Sequence, residues 1–295
     1  MTAAPEPGAA GAARRGVPGA LLVIAGYSLF AVMDGLSKLL AADYPVVQIV
    51  WARYVAFLVL VTAVLWPRYG RSLIATRRPW AQFGRGLLPI AGSLMIVGAF
   101  RTVPLVEVTA LMFLVPLFTV ALAIPLLGER VSIGQWLALL VGFVGVLVVI
   151  RPGGVTFQWP MLLPLGTAFT FALYQIVTRQ LGRTESMPSL LYAIAWVGAA
   201  VMSLIVPFAW VTPDLRGAGL MALSGLVLGL GHLCIIAAFA RGPAAGLAPF
   251  SYFQIVASTL IGVLVFGEVP DLWAVLGTAL IIGAGIYVWR SPAKR

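Results

Sequence analysis

Apolar residues occur along the chain in ten largely uncharged stretches, separated by short polar segments rich in Pro and Gly. Each stretch has about 20 residues, the length that a helix needs to cross ~30 Å of hydrocarbon. The pattern therefore predicts ten transmembrane helices. Their predicted bounds are residues 17–40, 46–66, 84–103, 106–127, 132–150, 160–181, 188–210, 217–240, 245–266 and 272–289.

The composition supports a membrane protein and excludes several other classes. Charged residues make up 9% of the chain and hydrophobic residues 61%, whereas a soluble domain has about 25% charged residues. The net charge of +10 comes from basic residues between the apolar stretches, which is typical of the positive-inside rule rather than of nucleic-acid binding. One cysteine, Cys234, and one histidine, His232, leave no paired ligands for a metal. We expect no metal, no cofactor and no nucleic-acid partner.

Residues at the ends of the predicted helices recur at a constant offset of 139 residues. The matches fall at helix ends and not in the Leu- and Val-rich helix interiors, where matches arise by chance. This distribution indicates an internal duplication. The matched pairs are Ala99 with Ala238, Phe100 with Phe239, Pro104 with Pro243, Gly128 with Gly267, Glu129 with Glu268, and Arg151 with Arg290.

The duplication and the basic residues together predict an inverted repeat. Fourteen basic residues fall on one side of the predicted helices and four on the other, so both termini are placed in the cytoplasm. Each half has five helices, an odd number, so the second half is upside down relative to the first. We predict an all-α polytopic membrane protein with ten transmembrane helices as two inverted five-helix repeats. The repeats are residues 17–152 and 153–290, and residues 1–16 and 291–295 are cytoplasmic tails.

Charged residues inside the first two predicted helices are the first candidates for function. Asp34 and Lys38 lie four residues apart on one helix face, and Arg53 lies at a similar depth in the second helix. A charge in the bilayer faces protein or water and is functional by default. One interpretation is that Asp34 meets a substrate amine or a coupling cation. The other is a structural ion pair of Asp34 with Arg53, in which case Lys38 extends outward to the interface.

Two further charged groups lie at predicted helix ends. Arg101 and Glu107 form either a hairpin ion pair or an outer gate. In Gly128-Glu129 and Gly267-Glu268, the glycine permits a left-handed turn that ends the helix. The glutamate then accepts hydrogen bonds from the first N–H groups of the following helix.

Polar and aromatic residues near the predicted midplane are candidates for a substrate cavity. His232 is either a buried, hydrogen-bonded residue or a contact for substrate or a proton. An apolar wall with a few polar groups is usual for a small-molecule site, although helix packing alone also explains each aromatic residue. The candidates are Tyr27, Phe30, Met95, Phe113, Phe171, Tyr174, Gln175, Tyr252 and Gln254.

With these features the chain resembles a known family, the EamA-type transporters of the drug/metabolite transporter superfamily. The resemblance rests on the five-plus-five layout and on several motifs. These are Ala99-Phe100 with Pro104, Pro116-Leu117-Phe118, Gly128-Glu129 with Gln135, and Gly267-Glu268. It implies alternating access, a multi-pass location in the bacterial inner membrane, and a central cavity lined by the first, third, fourth, sixth, eighth and ninth helices.

The expected function is therefore secondary transport of a small organic metabolite, not enzymatic catalysis. The aromatic and Met-rich candidate wall favours export of amino acids, aromatic or hydrophobic. The alternative is uptake of riboflavin or S-adenosylmethionine, because Asp34-Gly35-Leu36-Ser37-Lys38, Tyr44-Pro45 and Gln48 with Arg53 resemble a subgroup that includes those transporters. Asp34, Glu107 and His232 are the candidate proton carriers. The sequence leaves open whether the protein is a monomer or a homodimer.

Overall fold

The computed structural model describes residues 8–127, 132–152, 157–239 and 247–290. Within these residues all regular elements are helices. The long helices are α1 (Gly8–Ala41), α2 (Val46–Tyr69), α3 (Pro79–Ala99), α4 (Leu105–Met112), α5 (Val115–Leu127), α6 (Ile133–Ile150), α7 (Leu163–Leu181), α8 (Met187–Ile205), α9 (Leu215–Phe239), α10 (Phe253–Phe266) and α11 (Leu272–Arg290). Short 3-10 turns span Gly70–Leu73, Trp159–Leu162, Val206–Ala209 and Ala248–Tyr252.

The helices follow the predicted apolar stretches, with three differences. Residues 8–16, predicted as a flexible tail, belong to α1. The third helix begins at Pro79 instead of residue 84, because proline is well suited to the first helical position. The fourth predicted helix is divided into α4 and α5 at Phe113 and Leu114.

Length and composition support a membrane-spanning bundle. Among the described residues, seven helical stretches are long and apolar enough to cross a membrane, and two shorter apolar helices cover residues 250–266 and 272–288. The remaining helix, α3, has 21 residues but carries Gln82 and Arg85, which lower its hydropathy. Together these helices provide the ten predicted spans, with α4 and α5 forming one of them.

The helix contacts have the pattern of a two-fold repeat. When α1, α2, α3, α4–α5 and α6 are matched to α7, α8, α9, α10 and α11, each major contact has a counterpart. The pairs α1–α9 and α3–α7 correspond, as do α1–α10 and α5–α7, and α2–α9 and α3–α8. The pairs α2–α8, α4–α10 and α6–α11 each correspond to themselves. Each of these contacts joins the two repeats, so neither repeat forms the bundle alone.

The bundle has two ends, which we name by their residues. The Lys38 end contains the C-termini of α1, α3 and α6 and the N-termini of α2, α4 and α9. It is held by Lys38 with Glu268, Tyr44 with Asp214, Gln48 with Val211, and Arg151 with Asp271. The Arg77 end contains the opposite termini, and there the Arg77 N–H donates to Glu185 Oε1 at 2.9 Å.

Candidate functional site

Asp34 is buried inside the bundle with an amide as its partner. Its carboxylate accepts a hydrogen bond from Gln254 Nε2 at 3.4 Å, and Asp34 as a whole is 5% exposed. The predicted ion pair with Arg53 is not formed, because Arg53 Nη2 donates to the Ser37 hydroxyl instead. Ser37 itself donates to the carbonyl of Met33 at 2.7 Å. Asp34 therefore has no cationic side chain bound to it within the described part of the chain.

Aromatic rings enclose His232, and one of them, Phe30, lies one turn before Asp34 on α1. The imidazole stacks on Phe57, with ring centroids 5.5 Å apart, and meets the edge of Phe30 at 5.2 Å. Tyr27 in turn meets Phe30 at 5.7 Å. The prediction that His232 is hydrogen-bonded is wrong for the described residues, in which ring packing surrounds it.

Glycines bring the three helices of this aromatic group together. A Cβ at Gly225 would meet the carbonyl of Arg53, and a Cβ at Gly229 would meet Leu60. On the α1 side, a Cβ at Gly231 would meet the ring of Phe30. Gly225 and Gly229, which lie four residues apart, therefore allow close approach of α9 to α2.

A second ring pair lies where two helices are interrupted. Phe113, between α4 and α5, stacks on Tyr252 with centroids 4.9 Å apart and planes at 21°. Pro116 has no N–H to donate to Met112, which favours the break between α4 and α5. Tyr252 ends the 3-10 turn that precedes α10. The two rings are 139 residues apart in the sequence, so the pair joins equivalent positions of the two repeats.

A third group surrounds Arg85, a basic residue at the start of the predicted third helix, residues 84–103, that was not among the predicted site residues. Arg85 is 1% exposed and lies in the second turn of α3. Its guanidinium donates to Tyr174 Oη at 3.3 Å and Thr178 Oγ1 at 3.2 Å, both on α7. It also donates to Gln82 Oε1 at 2.9 Å and the Leu190 carbonyl at 2.6 Å. The signal that could have found it is Pro79, since a helix that begins there places Arg85 in its second turn instead of at its first residues.

The predicted cavity residues therefore fall into separate groups. Tyr27, Phe30, Asp34, His232 and Gln254 belong to the Asp34 group, and Phe113 with Tyr252 forms the central ring pair. The remaining predicted residues lie near α7: Tyr174 contacts Arg85, Phe171 meets Tyr174 at 5.9 Å, Gln175 lies 3.5 Å from Thr119, and Met95 packs against Gly166.

At the Lys38 end, an ion pair crosses between the two repeats. Lys38 Nζ lies 2.7 Å from Glu268 Oε1 and 2.7 Å from the carbonyl of Val103. Glu268 Oε2 accepts from the Leu105 N–H at 2.9 Å, at the N-terminus of α4. We call these contacts of Lys38, Glu268 and Leu105 the latch. The side chains of Lys38 and Glu268 are 11% and 21% exposed.

The latch corrects two predictions and confirms a third. Lys38 does not extend outward to the interface, because Glu268 binds it. Glu268 caps α4 of the other repeat, not the helix that follows it in sequence. Gly267 has φ +67° and ends α10 in the left-handed conformation, as predicted. The equivalent caps, Gly128 and Glu129, lie outside the described residues.

Glu107 and Arg101 do not form the predicted hairpin pair. Arg101 Nη2 donates to the carbonyl of Tyr44 at 3.1 Å. Glu107 instead lines a cavity of about 470 Å³ at the Lys38 end. The other lining residues are Thr102, Val103, Pro104, Arg151, Gln158, Met161, Val269 and Asp271. Within this wall, Arg151 has φ +47° and binds Asp271 at 2.8 Å.

Asp214 caps α9 on the surface of the same end. Its Oδ1 accepts from the Gly217 N–H at 2.6 Å and from the Tyr44 hydroxyl at 3.0 Å. These two bonds, the Gly217 N–H first, hold the pKa of Asp214 below its ordinary value, because they stabilise the carboxylate.

Comparison with known proteins identifies the class of this bundle. The model of the EamA-like transporter family matches residues 17–151 and again residues 158–290. A solved crystal structure superposes with a TM-score of 0.64 at 20% identity, covering 93% of this chain and 96% of its own. That likeness supports the fold.

Curated relatives match over most of their length. An S-adenosylmethionine uptake transporter of Rickettsia bellii is 29% identical over 88% of this chain and 89% of its own. A riboflavin transporter of Rhizobium johnstonii is 27% identical over 95% of this chain and 94% of its own. A riboflavin transporter of Brucella anthropi is 30% identical over 84% and 89%. The two family matches together cover nearly the whole chain, and the chain belongs to the EamA-like transporter family.

Proposed function

We propose that the chain takes up S-adenosylmethionine, or a close analogue, by alternating access. The relatives favour this substrate class, or riboflavin, over the export of amino acids that the aromatic wall first indicated. The observation that carries the proposal is the buried carboxylate of Asp34, which has one amide partner and lies on the same helix as Phe30, whose ring contacts His232.

The chemistry of S-adenosylmethionine fits this arrangement. The molecule carries a sulfonium and an ammonium cation, and a carboxylate is the natural partner for either in a water-poor site. Its adenine can stack on the rings of Phe30 or Tyr27, which are partly exposed, and aromatic faces also attract cations. A mostly apolar pocket with a few fixed polar groups is the usual small-molecule site.

Arg53 supplies the opposite charge at the same depth. Asp34 lies seven residues before the end of α1 and Arg53 seven residues after the start of α2, so both are roughly 10 Å from the Lys38 end. Arg53 is 2% exposed, and its Nε has no hydrogen-bond partner among the described residues. The methionine part of the substrate has an ammonium for Asp34 and a carboxylate for Arg53.

Riboflavin is the second candidate, and the central ring pair favours it. The isoalloxazine ring is planar and uncharged, so it would use the faces of Phe113 and Tyr252 and would not need the charge of Asp34. The charge dependence of transport therefore separates the two substrates.

Counterflow into proteoliposomes tests the proposal. Proteoliposomes that contain the purified protein are loaded with unlabelled S-adenosylmethionine, and entry of the labelled compound is measured. S-adenosylhomocysteine, riboflavin, Trp and Phe serve as competitors. S-adenosylhomocysteine has the same adenosine and amino acid groups but lacks the sulfonium charge.

We expect S-adenosylmethionine to compete better than S-adenosylhomocysteine, and Asp34→Asn to reduce that preference by about tenfold or more, as expected for loss of a charged hydrogen-bonded partner. Asp43→Asn removes the same charge from an exposed position at the Lys38 end and should leave counterflow unchanged. Competition by riboflavin alone, unaffected by Asp34→Asn, would replace this proposal by the riboflavin one.

The latch has a place in the same proposal. We assign it to the state in which the Lys38 end is closed, and we place that end away from the cytoplasm, because basic residues concentrate at the opposite end. Substrate would then enter from the Lys38 end when Lys38 and Glu268 separate. Proton coupling, if present, would involve Asp34, Glu107 or His232.

A further inference from the structure

Arg85 is a buried cation that binds no carboxylate. It is the largest fully buried side chain among the described residues. The two ion pairs of the described residues join Lys38 to Glu268 and Arg151 to Asp271, and neither includes Arg85. It lies six residues into α3, roughly 9 Å from the Arg77 end. Charged side chains at such depth are normally paired with an opposite charge or mark a functional site.

The partners of Arg85 leave one of its donors unused. Four of its N–H groups point to neutral oxygens of Tyr174, Thr178, Gln82 and Leu190. The fifth donor, Nε, has no partner among the described residues. The guanidinium has no acceptor, so this nitrogen can be satisfied only by a lone pair from another group.

Gln82, three residues before Arg85 on α3, adds a second donor nitrogen without a partner among the described residues. It is 4% exposed, and its Oε1 accepts from Arg85 Nη2 at 2.9 Å. Reversing the amide would put two donors face to face, so the hydrogen bond fixes its orientation. The amide nitrogen Nε2 is therefore left without a partner within the described part of the chain.

Together these side chains have the chemistry of an anion site. One full positive charge and two free N–H donors lie on consecutive turns of one helix, in a bundle where water does not replace missing partners. Tyr174 supports the arrangement, since the centre of the guanidinium lies 5.3 Å from its ring centroid. Tyr174 is thus a positioning residue for Arg85.

We propose that Arg85 and Gln82 bind a monovalent anion, either a free halide or small carboxylate ion or the carboxylate of a transported molecule. This site is separate from the Asp34 group and does not depend on which metabolite the protein carries. The anion completes the charge balance of α3 against α7 and α8, and it accepts from Arg85 Nε and Gln82 Nε2.

Thermal unfolding of the purified full chain in detergent tests this site. Sodium gluconate, whose anion is large, is exchanged at constant ionic strength for chloride, bromide or formate, and separately for S-adenosylmethionine in gluconate. A ligand that binds the folded state alone, at 100 times its Kd, raises the ratio of folded to unfolded protein about 100-fold. We expect a saturable rise in Tm with at least one of these anions.

Three variants separate the anion site from a purely structural clamp. Gln82→Glu places a carboxylate next to Arg85, so the Tm in gluconate should be equal to or above wild type, and the anion-dependent rise should disappear. Arg85→Lys keeps the charge but removes the planar donor set, so the rise should be reduced. Arg71→Gln removes an exposed arginine from the same end, and the rise should remain.

The outcomes distinguish the source of the anion. A rise with chloride or formate in the absence of substrate identifies a free ion, even if the protein transports no S-adenosylmethionine. A rise with S-adenosylmethionine alone, lost in Gln82→Glu, identifies the carboxylate of the substrate and places it at Arg85 instead of at Arg53. If no anion raises the Tm, or if Gln82→Glu responds as wild type does, the proposed site is wrong.

Discussion

Replacing Glu268 by glutamine should loosen the Lys38 end. The change leaves Lys38 without its charged partner and weakens the bond from the Leu105 N–H, which then meets a neutral acceptor. Exposed ion pairs contribute 0–1 kcal/mol and breaking a buried pair costs about 3–5 kcal/mol. The side chains of Lys38 and Glu268 are 11% and 21% exposed, so we expect an intermediate cost of roughly 2 kcal/mol.

In the proposed alternating-access cycle, this energy acts on the equilibrium between the closed and the open Lys38 end. Because the latch joins the two repeats, its contacts are lost when that end opens, and about 2 kcal/mol corresponds to a change of roughly 30-fold in that equilibrium. The side chain of Thr109, one turn inside α4 from Leu105, is 2% exposed. A cysteine at this position reports opening to a water-soluble thiol reagent.

The assay uses Thr109→Cys in a Cys234→Ala background and measures the rate of thiol modification. We expect Glu268→Gln to raise the rate about 10- to 30-fold. The matched control is Arg101→Gln, which removes a charge at the same end whose bond to Tyr44 stays within one repeat. A rate in Glu268→Gln equal to that of the control would refute the role of the latch.

A double variant isolates the ion pair from the cap. Lys38→Gln combined with Glu268→Gln should open the end less than the sum of the single changes, since the two residues interact. Full additivity would mean that Glu268 acts only through the Leu105 N–H.

Three further predictions concern the ends of helices and of the chain. Gly267→Ala should lower the free energy of unfolding by roughly 1–2 kcal/mol, and with it the Tm, because φ at this position is positive. Gly283→Ala, in an exposed helical position with open space around it, should not lower it. The pKa of Asp214 is lower in the folded state than in the unfolded state. Its carboxylate therefore contributes stability above the ordinary aspartate pKa, and this contribution is lost as the pH falls through the lowered pKa. Asp214→Asn should remove this pH-dependent part of the stability. Asp43→Asn should change this pH profile less. Reporter tags on the two termini should both read out as cytoplasmic, and a periplasmic signal from either would contradict the ten-helix topology.

The helices and the repeat were predictable from the sequence because their signals are local. Runs of apolar residues have the length of the bilayer, and Gly267 ends a helix through its own backbone conformation. The break at Phe113 was missed, although Pro116 lies three residues later, since apolar composition continues unchanged through it.

The contacts between the repeats were not predictable in the same way. Glu268 was expected to cap the next helix, the nearest N–H groups in sequence, but the fold brings Leu105 of the other repeat closer. The pairing of Lys38 with Glu268 was missed because the two residues lie 230 positions apart in the sequence. Arg85 was placed at the inner edge of the third helix and not among the site residues, because a charged residue at the edge of an apolar stretch has the same local pattern as a surface residue.

The measurement that tests the central claim most directly is uptake of radiolabelled S-adenosylmethionine by proteoliposomes, with wild type and Asp34→Asn compared at equal protein density. We predict saturable uptake by wild type, competition by excess unlabelled compound, and uptake lower by about tenfold or more in Asp34→Asn. Uptake no greater than that of empty liposomes, or uptake unchanged by Asp34→Asn, would contradict the account.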